Sequence, residues 1–410
     1  MTNGDDPDDR GGLRALLTRR RLTIGGTVLV VAGLLFAFRE VEFDRVVGEM
    51  AAADPWLLAA AVGVYAASWP LRGRRYGDVL TTTGHPLGTA FLTLAVFLSQ
   101  TANLVVPARG GDAVRAYVLR ARRNVPYPAG FASLAVERGF DLAAIAVLGA
   151  GATAWLLSSG DPATLTAVTA AGDARTAMFA ATGVAAATLA AGLLTLVVAN
   201  ANRSRSRRLG RRLRETVAGR PRLQRVVAAG LDFVGDIAVV ARNPRAVAIV
   251  GGGSLLIWSL DVATAVLVLA ALDSGLAVGS LLAVGTLAVS VGNLAKVLPL
   301  SQGGVGLYEA AFTGLVVALT PLGASLALAA AVVDHALKNA VTLVGGGVAV
   351  AVLGIDPSTA ARRGSDADAG GDTAAKTTAA DPAATTAAEP PVTGEARADG
   401  SGEATSSADD

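Results

Sequence analysis

The chain has 410 residues, 52% hydrophobic and 17% charged, and its uncharged runs of 17 or more residues fit membrane-spanning helices that a soluble protein would not need. It contains no cysteine, which excludes disulfides, thiolate metal sites and thiol catalysis. The net charge of +2 hides a split, because from Ile355 onward 11 acids face four bases and the remainder is strongly basic.

Residues 1–21 read as a cytoplasmic segment. Arg19, Arg20 and Arg21 precede an apolar run at 22–38, as in a twin-arginine export signal. That run ends in Phe36, Ala37, Phe38 and Arg39 without a small-residue cleavage site, so the expectation is an uncleaved first transmembrane helix. Further apolar segments lie at 55–71, 87–106, 132–157, 176–199, 246–272, 277–298, 309–320 and 324–353. Arginines before the first run, then Glu40, Glu42, Asp44, Glu49 and Asp54, then Arg72, Arg74 and Arg75, predict a path that goes in, out and in again by the positive-inside rule.

Segment 87–106 breaks the alternation if it crosses fully. Arg115, Arg120, Arg122 and Arg123 would then lie outside, and so would the connection 200–245 with its 12 arginines and three acids. A re-entrant hairpin restores the pattern: 87–106 descends, Pro107 to Gly111 turns within the membrane, and Asp112 to Arg123 returns to the cytoplasmic face. Non-helical backbone is tolerated at that depth only where protein or a wet cavity meets it. Gly110 and Gly111 are expected to supply backbone freedom, and Pro107 to end the first arm.

Within these apolar surroundings a spacing recurs. Asp112 is followed 25 residues later by Glu137, and Glu309 is followed 25 residues later by Asp334. A charge at mid-bilayer costs about 2.5–3.5 kcal/mol on insertion scales, so a duplicated pair marks a repeat built on a polar site. In the second copy 277–298 is one arm, Pro299 to Tyr308 the turn with Gly303, Gly304 and Gly306, and Glu309 to Thr320 the return. Three crossings separate the copies, so the second hairpin is expected to enter from the opposite face. The fold class read from this is all-α: a polytopic membrane protein with about six full-spanning helices and two re-entrant hairpins in an inverted repeat. Its transmembrane domain would span 22–354, with repeat halves near 87–157 and 277–353. The Arg-rich stretch Arg203 to Arg225 reads either as a helix on the cytoplasmic membrane surface or as a solvated loop, and 355–410 as a disordered acidic tail.

The candidate site residues follow from the repeat. Arg109, Asp112, Arg115, Glu137, Arg138 and Asp141 belong to the first copy, and Glu137 and Asp141 share a helix face. Asn293, Lys296, Glu309, Asp334, His335 and Lys338 belong to the second, where Asp334 and Lys338 are spaced to pair with each other. Asp261 sits mid-segment with no local partner. Opposite charges can pair across these elements, and a spare arginine makes an anion site, since guanidinium grips phosphate through a bidentate fork. The competing reading is a polar cluster that only locks helices together. Arg120, Arg122 and Arg123 read as interface anchors, His85 as a loop residue and His335 as either a structural donor or a proton carrier. No P-loop, metal-binding triad or Ser-His-Asp arrangement is visible, and neither a cofactor nor a metal is expected.

At these motifs the chain resembles the lysylphosphatidylglycerol synthase transmembrane family, also called the flippase-like domain family. The matching residues are Asn103-Leu-Val-Val-Pro107, Arg109-Gly-Gly-Asp112, Arg115, Glu137, Arg138 and Asp141, with Pro299 and Gly303-Gly-Val-Gly-Leu-Tyr-Glu309 in the second copy. His335 stands where the family commonly has arginine, and Tyr308 where it commonly has a basic residue. The resemblance implies a multi-pass protein of the inner or plasma membrane, and the charge alternation predicts both termini to be cytoplasmic. Some relatives join this domain to an aminoacyl-transferase, and the residues after the last segment are expected to be too few and too polar to form one, so synthesis of lysyl-lipid is not expected. The expected function is translocation of an anionic phospholipid or a polyprenyl-phosphate-linked sugar, with membrane lipids as partners and no nucleic acid. The alternatives are a non-catalytic membrane partner of a glycosyltransferase and an intramembrane transferase.

Overall fold

The computed structural model describes residues 42–106, 110–159, 221–296 and 301–354. The expected first transmembrane helix at 22–38, the segment 176–199, residues 203–220 of the Arg-rich stretch, the acidic tail, Pro107, Arg109 and Pro299 lie outside them. The described residues form α1 (Phe43–Ala52), α2 (Pro55–Thr82), α3 (Thr89–Val105), α4 (Gly110–Arg123), α5 (Tyr127–Ser159), α6 (Pro221–Arg242), α7 (Pro244–Ala271), α8 (Val278–Ala295), a 3-10 turn (Gln302–Gly304), α9 (Leu307–Leu319) and α10 (Ala324–Leu353). The secondary structure among them is helical throughout, in line with the all-α reading.

The helices α5, α7, α8 and α10 are long and apolar enough to cross a membrane, and α1 with α2 makes a fifth span if that pair, bent by 84°, is counted as one. The arms α3 and α9 are apolar but shorter. The arm α8, expected inside the second hairpin, is itself long enough to cross.

Two groups of four helices follow the same plan. The helices α2 and α7 both have 28 residues and begin with proline after an Asx cap. The Asp54 carboxylate accepts from the N–H of Trp56 at 2.8 Å, and the Asn243 side chain accepts from Ala246 at 3.1 Å. A side-chain cap satisfies an orphan donor of the first turn, and proline at the first position lacks the N–H that would be orphaned. Each is followed by a shorter helix (17 residues in α3, 18 in α8), then a short return helix (14 in α4, 13 in α9), then a long one (33 in α5, 30 in α10). Packing crosses between the groups in matched fashion: α2 lies on α7, α3 on α10, and α8 on α5. The Asp54 N–H donates to the Ala271 carbonyl at 2.8 Å, tying the start of α2 to the end of α7. Val79 near the end of α2 packs with Ala246 and Val250 near the start of α7. The matched helices therefore run antiparallel.

Several local expectations change. The apolar run beginning at 55 does not stop at 71, because α2 continues to Thr82 and carries Arg72, Arg74 and Arg75 within it. Only Arg74 of these three is exposed; Arg75 is buried. They were expected in a cytoplasmic connection because a run of arginine after an apolar segment usually is one. Within 200–245, residues 221–242 form α6, which packs on α5 and buries Val240.

The turns differ from expectation in how they use glycine. The arm α4 already begins at Gly110, and neither Gly110 nor Gly111 has a positive φ. What Gly111 supplies is closeness: a Cβ there would stand 2.0 Å from the Ser99 carbonyl oxygen, so only glycine lets the two arms touch. In the second turn Gly306 does take the left-handed region (φ 85°) as the N-cap of α9, which starts at Leu307. The tips of the copies meet, since α3 packs on the 3-10 turn and Leu104 lies against Gly303.

Candidate functional site: two buried ionic clusters

In the first cluster the acids come from α5, where Glu137 and Asp141 share a face. Arg115 of α4 donates through Nη1 to Glu137 Oε2 at 2.7 Å, and its guanidinium lies 4.9 Å from the centre of the Tyr76 ring. Arg75 of α2 reaches the other Glu137 oxygen through Nη2 at 2.9 Å. Its Nη1 donates to Asp141 Oδ1 and, at 2.8 Å, to Ser254 Oγ of α7. Trp258 of α7 donates to Asp141 Oδ1 at 2.9 Å. At the open edge Arg138 donates to Asp112 Oδ1 at 3.2 Å and lies 3.7 Å from Asp141. Asn103 ties the hairpin arms, accepting from the Gly111 N–H at 2.9 Å.

The second cluster is built on α9 and α10. Tyr308 donates to Asp334 Oδ2 at 2.5 Å, and Lys338 pairs with the same carboxylate at 2.9 Å. Lys338 also bonds Asp261 Oδ2 of α7 at 3.1 Å. Glu309 joins two elements: Oε2 accepts from the Gly306 N–H at 2.6 Å, and Oε1 lies 2.6 Å from His335 Nδ1. The first of these fits the favourable position of an anion at a helix N-terminus. Since the carboxylate can only accept, His335 is assigned the tautomer with Nδ1–H. Lys296 at the end of α8 lies 4.2 Å from the centre of the Tyr308 ring.

The clusters are joined through the α2–α7 pair. Arg72 and Arg75 stand one turn apart on α2, while Ser254, Trp258 and Asp261 share a face of α7. Arg72 Nη2 lies 3.8 Å from Asp261 Oδ1. Counted from Pro55 and Pro244, Arg72 and Asp261 both occupy position 18, so the repeats touch at matched residues. The correspondence extends to the pairs: Asp112 meets Arg138, and Glu309 meets His335, each 26 residues on. Four residues after Glu137 stands Asp141; four after Asp334 stands Lys338, of opposite charge.

Burial separates two roles. Arg75, Arg115, Glu137, Asp334, His335 and Lys338 are all at most 4% exposed. Ion pairs so deep are costly to break from one side, since removing one partner leaves an uncompensated charge. The Arg138 and Asp112 side chains keep 27% and 20% exposure, and Glu309 13%, so they form the accessible edge.

Of the residues singled out from sequence, Asp112, Arg115, Glu137, Arg138 and Asp141 come together in one cluster. Glu309, Asp334, His335 and Lys338 come together in the other, with Lys296 against it. Asn293 joins neither through its amide, which donates to the Val289 carbonyl of its own helix at 2.9 Å. Asp261, without a local partner, finds its partners on α10 and α2. Arg72, Arg75, Ser254, Trp258 and Tyr308 were not anticipated. The matched Asp54-Pro55 and Asn243-Pro244 starts were the signal that α2 and α7 belong to the repeat. Arg122, read as an anchor, donates to the Leu353 carbonyl at 2.5 Å and so caps the end of α10.

Comparison with known proteins agrees with the resemblance seen in the motifs. The family model described as "Lysylphosphatidylglycerol synthase TM region" matches residues 23–346. The protein named Glycosyltransferase AglD of Haloferax volcanii is 46% identical over 360 residues, which take in 85% of this chain. The chain spans 57% of the length of that relative.

Proposed function

The chain belongs to the lysylphosphatidylglycerol synthase transmembrane-region family, and from that premise we propose that it moves an anionic lipid between the leaflets of the cell membrane. The lipid would be an anionic phospholipid or a polyprenyl-phosphate-linked sugar supplied to or drawn from envelope glycan assembly, a context suggested by the relative's name. On this reading α3–α4 and α8–α9 are re-entrant hairpins that dip in from opposite faces, and both termini are cytoplasmic. The observation that carries the reading is the antiparallel duplication: each copy presents an acid–base pair, the partly exposed Asp112–Arg138 and the deeper Glu309–His335, at hairpins whose tips meet. Arg138 would take the phosphate, with Arg109 as a second cation. Asp112 would hold Arg138 when the site is empty. Rocking one repeat against the other would expose the site to each leaflet in turn. No step here needs catalysis by the chain itself.

The test is a reconstituted-liposome assay. Wild-type protein is expected to move a fluorescent phosphatidylglycerol or a short polyprenyl-phosphate sugar between leaflets, and Arg138→Gln to slow it at least tenfold while staying folded. A folded wild-type protein that moves neither lipid ends the proposal. A second reading, a membrane partner that positions a glycosyltransferase, is favoured by the name of a relative of which this chain spans only part. It predicts co-purification with such an enzyme and undiminished glycan assembly in Asp112→Asn and Glu309→Gln cells.

A further inference from the structure

The matched pairs differ in one chemical respect. Asp112 faces Arg138, a permanent cation, whereas Glu309 faces His335, the side chain that ordinarily titrates near neutral pH. His335 is 2% exposed, with Nδ1 held by Glu309 at 2.6 Å, while its Nε2 is buried without a hydrogen-bond partner among the described residues. A buried ring nitrogen with a vacant lone pair is uncommon, because burial without a partner costs about 1–3 kcal/mol.

The charges around it define what it can do. On α10 itself Asp334 and Lys338 are committed to each other, and Lys338 also to Asp261 of α7. Arg72 of α2 is turned to Asp261 as well, and α3 carries no ionisable side chain. The ionisable residues of α1, which also packs on α10, are Asp44, Arg45 and Glu49; the hydrogen bond described for His335 is to Glu309. From α9 Tyr308 lies beside the imidazole, its ring tilted by 41° with centres 4.8 Å apart, and its hydroxyl donates a hydrogen bond to Asp334. Lys296, just after α8, makes no ion pair among the described residues and lies 4.2 Å from the centre of the Tyr308 ring, which Lys338 also approaches at 6.0 Å.

We infer that His335 and Glu309 form a proton-binding site coupled to the phosphate of the transported lipid, which rests on the translocase reading. One proton from solvent adds to Nε2. The imidazolium keeps its Nδ1–H bond to Glu309 and gains an Nε2–H donor for a phosphate oxygen, with Lys296 as the neighbouring cation. The added positive charge offsets the incoming negative one, so lipid and proton bind as a pair. A pH difference across the membrane then biases the direction of movement. The first copy, with Arg138 in the same place, binds phosphate without taking up a proton.

The full chain in detergent can be titrated with dihexanoyl phosphatidylglycerol, a phosphodiester that keeps one charge across the neutral range. Calorimetry in buffers of different ionisation enthalpy counts protons taken up. Wild type is expected to take up close to one proton, with affinity weakening up to about tenfold per pH unit as pH rises. His335→Arg, which copies Arg138, and His335→Gln, which cannot charge, should take up none and show flat affinity. Because the chain has two histidines, His85 and His335, histidine-selective NMR should show the His335 signal titrating at higher pH when the probe is bound. Binding of the probe without proton uptake, or equal uptake by folded His335→Arg, overturns the inference and leaves the translocase reading standing. No binding of the probe by folded wild type overturns the inference too. No lipid movement in liposomes, with proton-coupled binding intact, would instead sink the translocase reading alone.

Discussion

Arg75 offers the sharpest test of how the clusters are held. Replacing it with Met keeps much of the side-chain volume but removes one guanidinium that joins three helices: Glu137 and Asp141 on α5, and Ser254 on α7. Glu137 would keep Arg115 at 2.7 Å, and Asp141 would keep Trp258 at 2.9 Å with Arg138 at 3.7 Å. Two buried carboxylates would then share charge compensation that previously came from three arginines. Breaking a buried pair from one side costs about 3–5 kcal/mol. That is about a hundredfold to a few thousandfold in the folded-to-unfolded ratio, at 1.36 kcal/mol per decade. Thermal or denaturant unfolding in detergent, followed by tryptophan fluorescence, measures it against Arg74→Met, whose side chain is exposed and should shift stability by less than about 0.5 kcal/mol. Arg75→Lys should recover only part of the loss, because one ammonium cannot reproduce the planar fork. Adding Asp141→Asn to Arg75→Met should also recover part. If Arg75→Met is no less stable than Arg74→Met, the claim that this cluster locks α2, α5 and α7 is wrong.

The other predictions probe separate links. Gly111→Ala should destabilise by about 1–3 kcal/mol through overpacking against the Ser99 carbonyl, whereas Gly314→Ala on α9, where a Cβ meets nothing within 4 Å, should be neutral or gain about 0.5–1 kcal/mol. Tyr308→Phe removes a hydrogen bond to a buried carboxylate and should cost about 1.5–3 kcal/mol, read by the same unfolding assay; no loss would mean Asp334 is held by Lys338 alone. Double-mutant cycles should give a larger coupling for Lys338 with Asp261, at 3.1 Å, than for Arg72 with Asp261, at 3.8 Å. Equal couplings would show that the contact between matched positions is as tight as that within the second cluster.

Much of this arrangement was legible because membranes make charge conspicuous. Glu137 and Glu309 stand out among apolar neighbours, and a repeated spacing survives without an alignment. The ends of α10 agree with the apolar run 324–353, since Gly354 closes the helix in the left-handed region after the last apolar residue. Arg72 and Arg75 were illegible for a physical reason. Their partners lie 62 to 189 residues away, so nothing local distinguishes a buried arginine from one that anchors a loop. The role of Gly111 was hidden too, because closeness between two arms is a property of the pair and not of the turn.

The meeting of Arg72 with Asp261 has a consequence for how such a chain can arise. Two identical halves assembled about the same axis would set arginine against arginine there, or aspartate against aspartate. A self-pairing ancestor of this half is therefore disfavoured by its own charges. Once the copies diverged in sign, each half became fit only for the other, and their fusion in one polypeptide guarantees that the unlike pair is the one that forms.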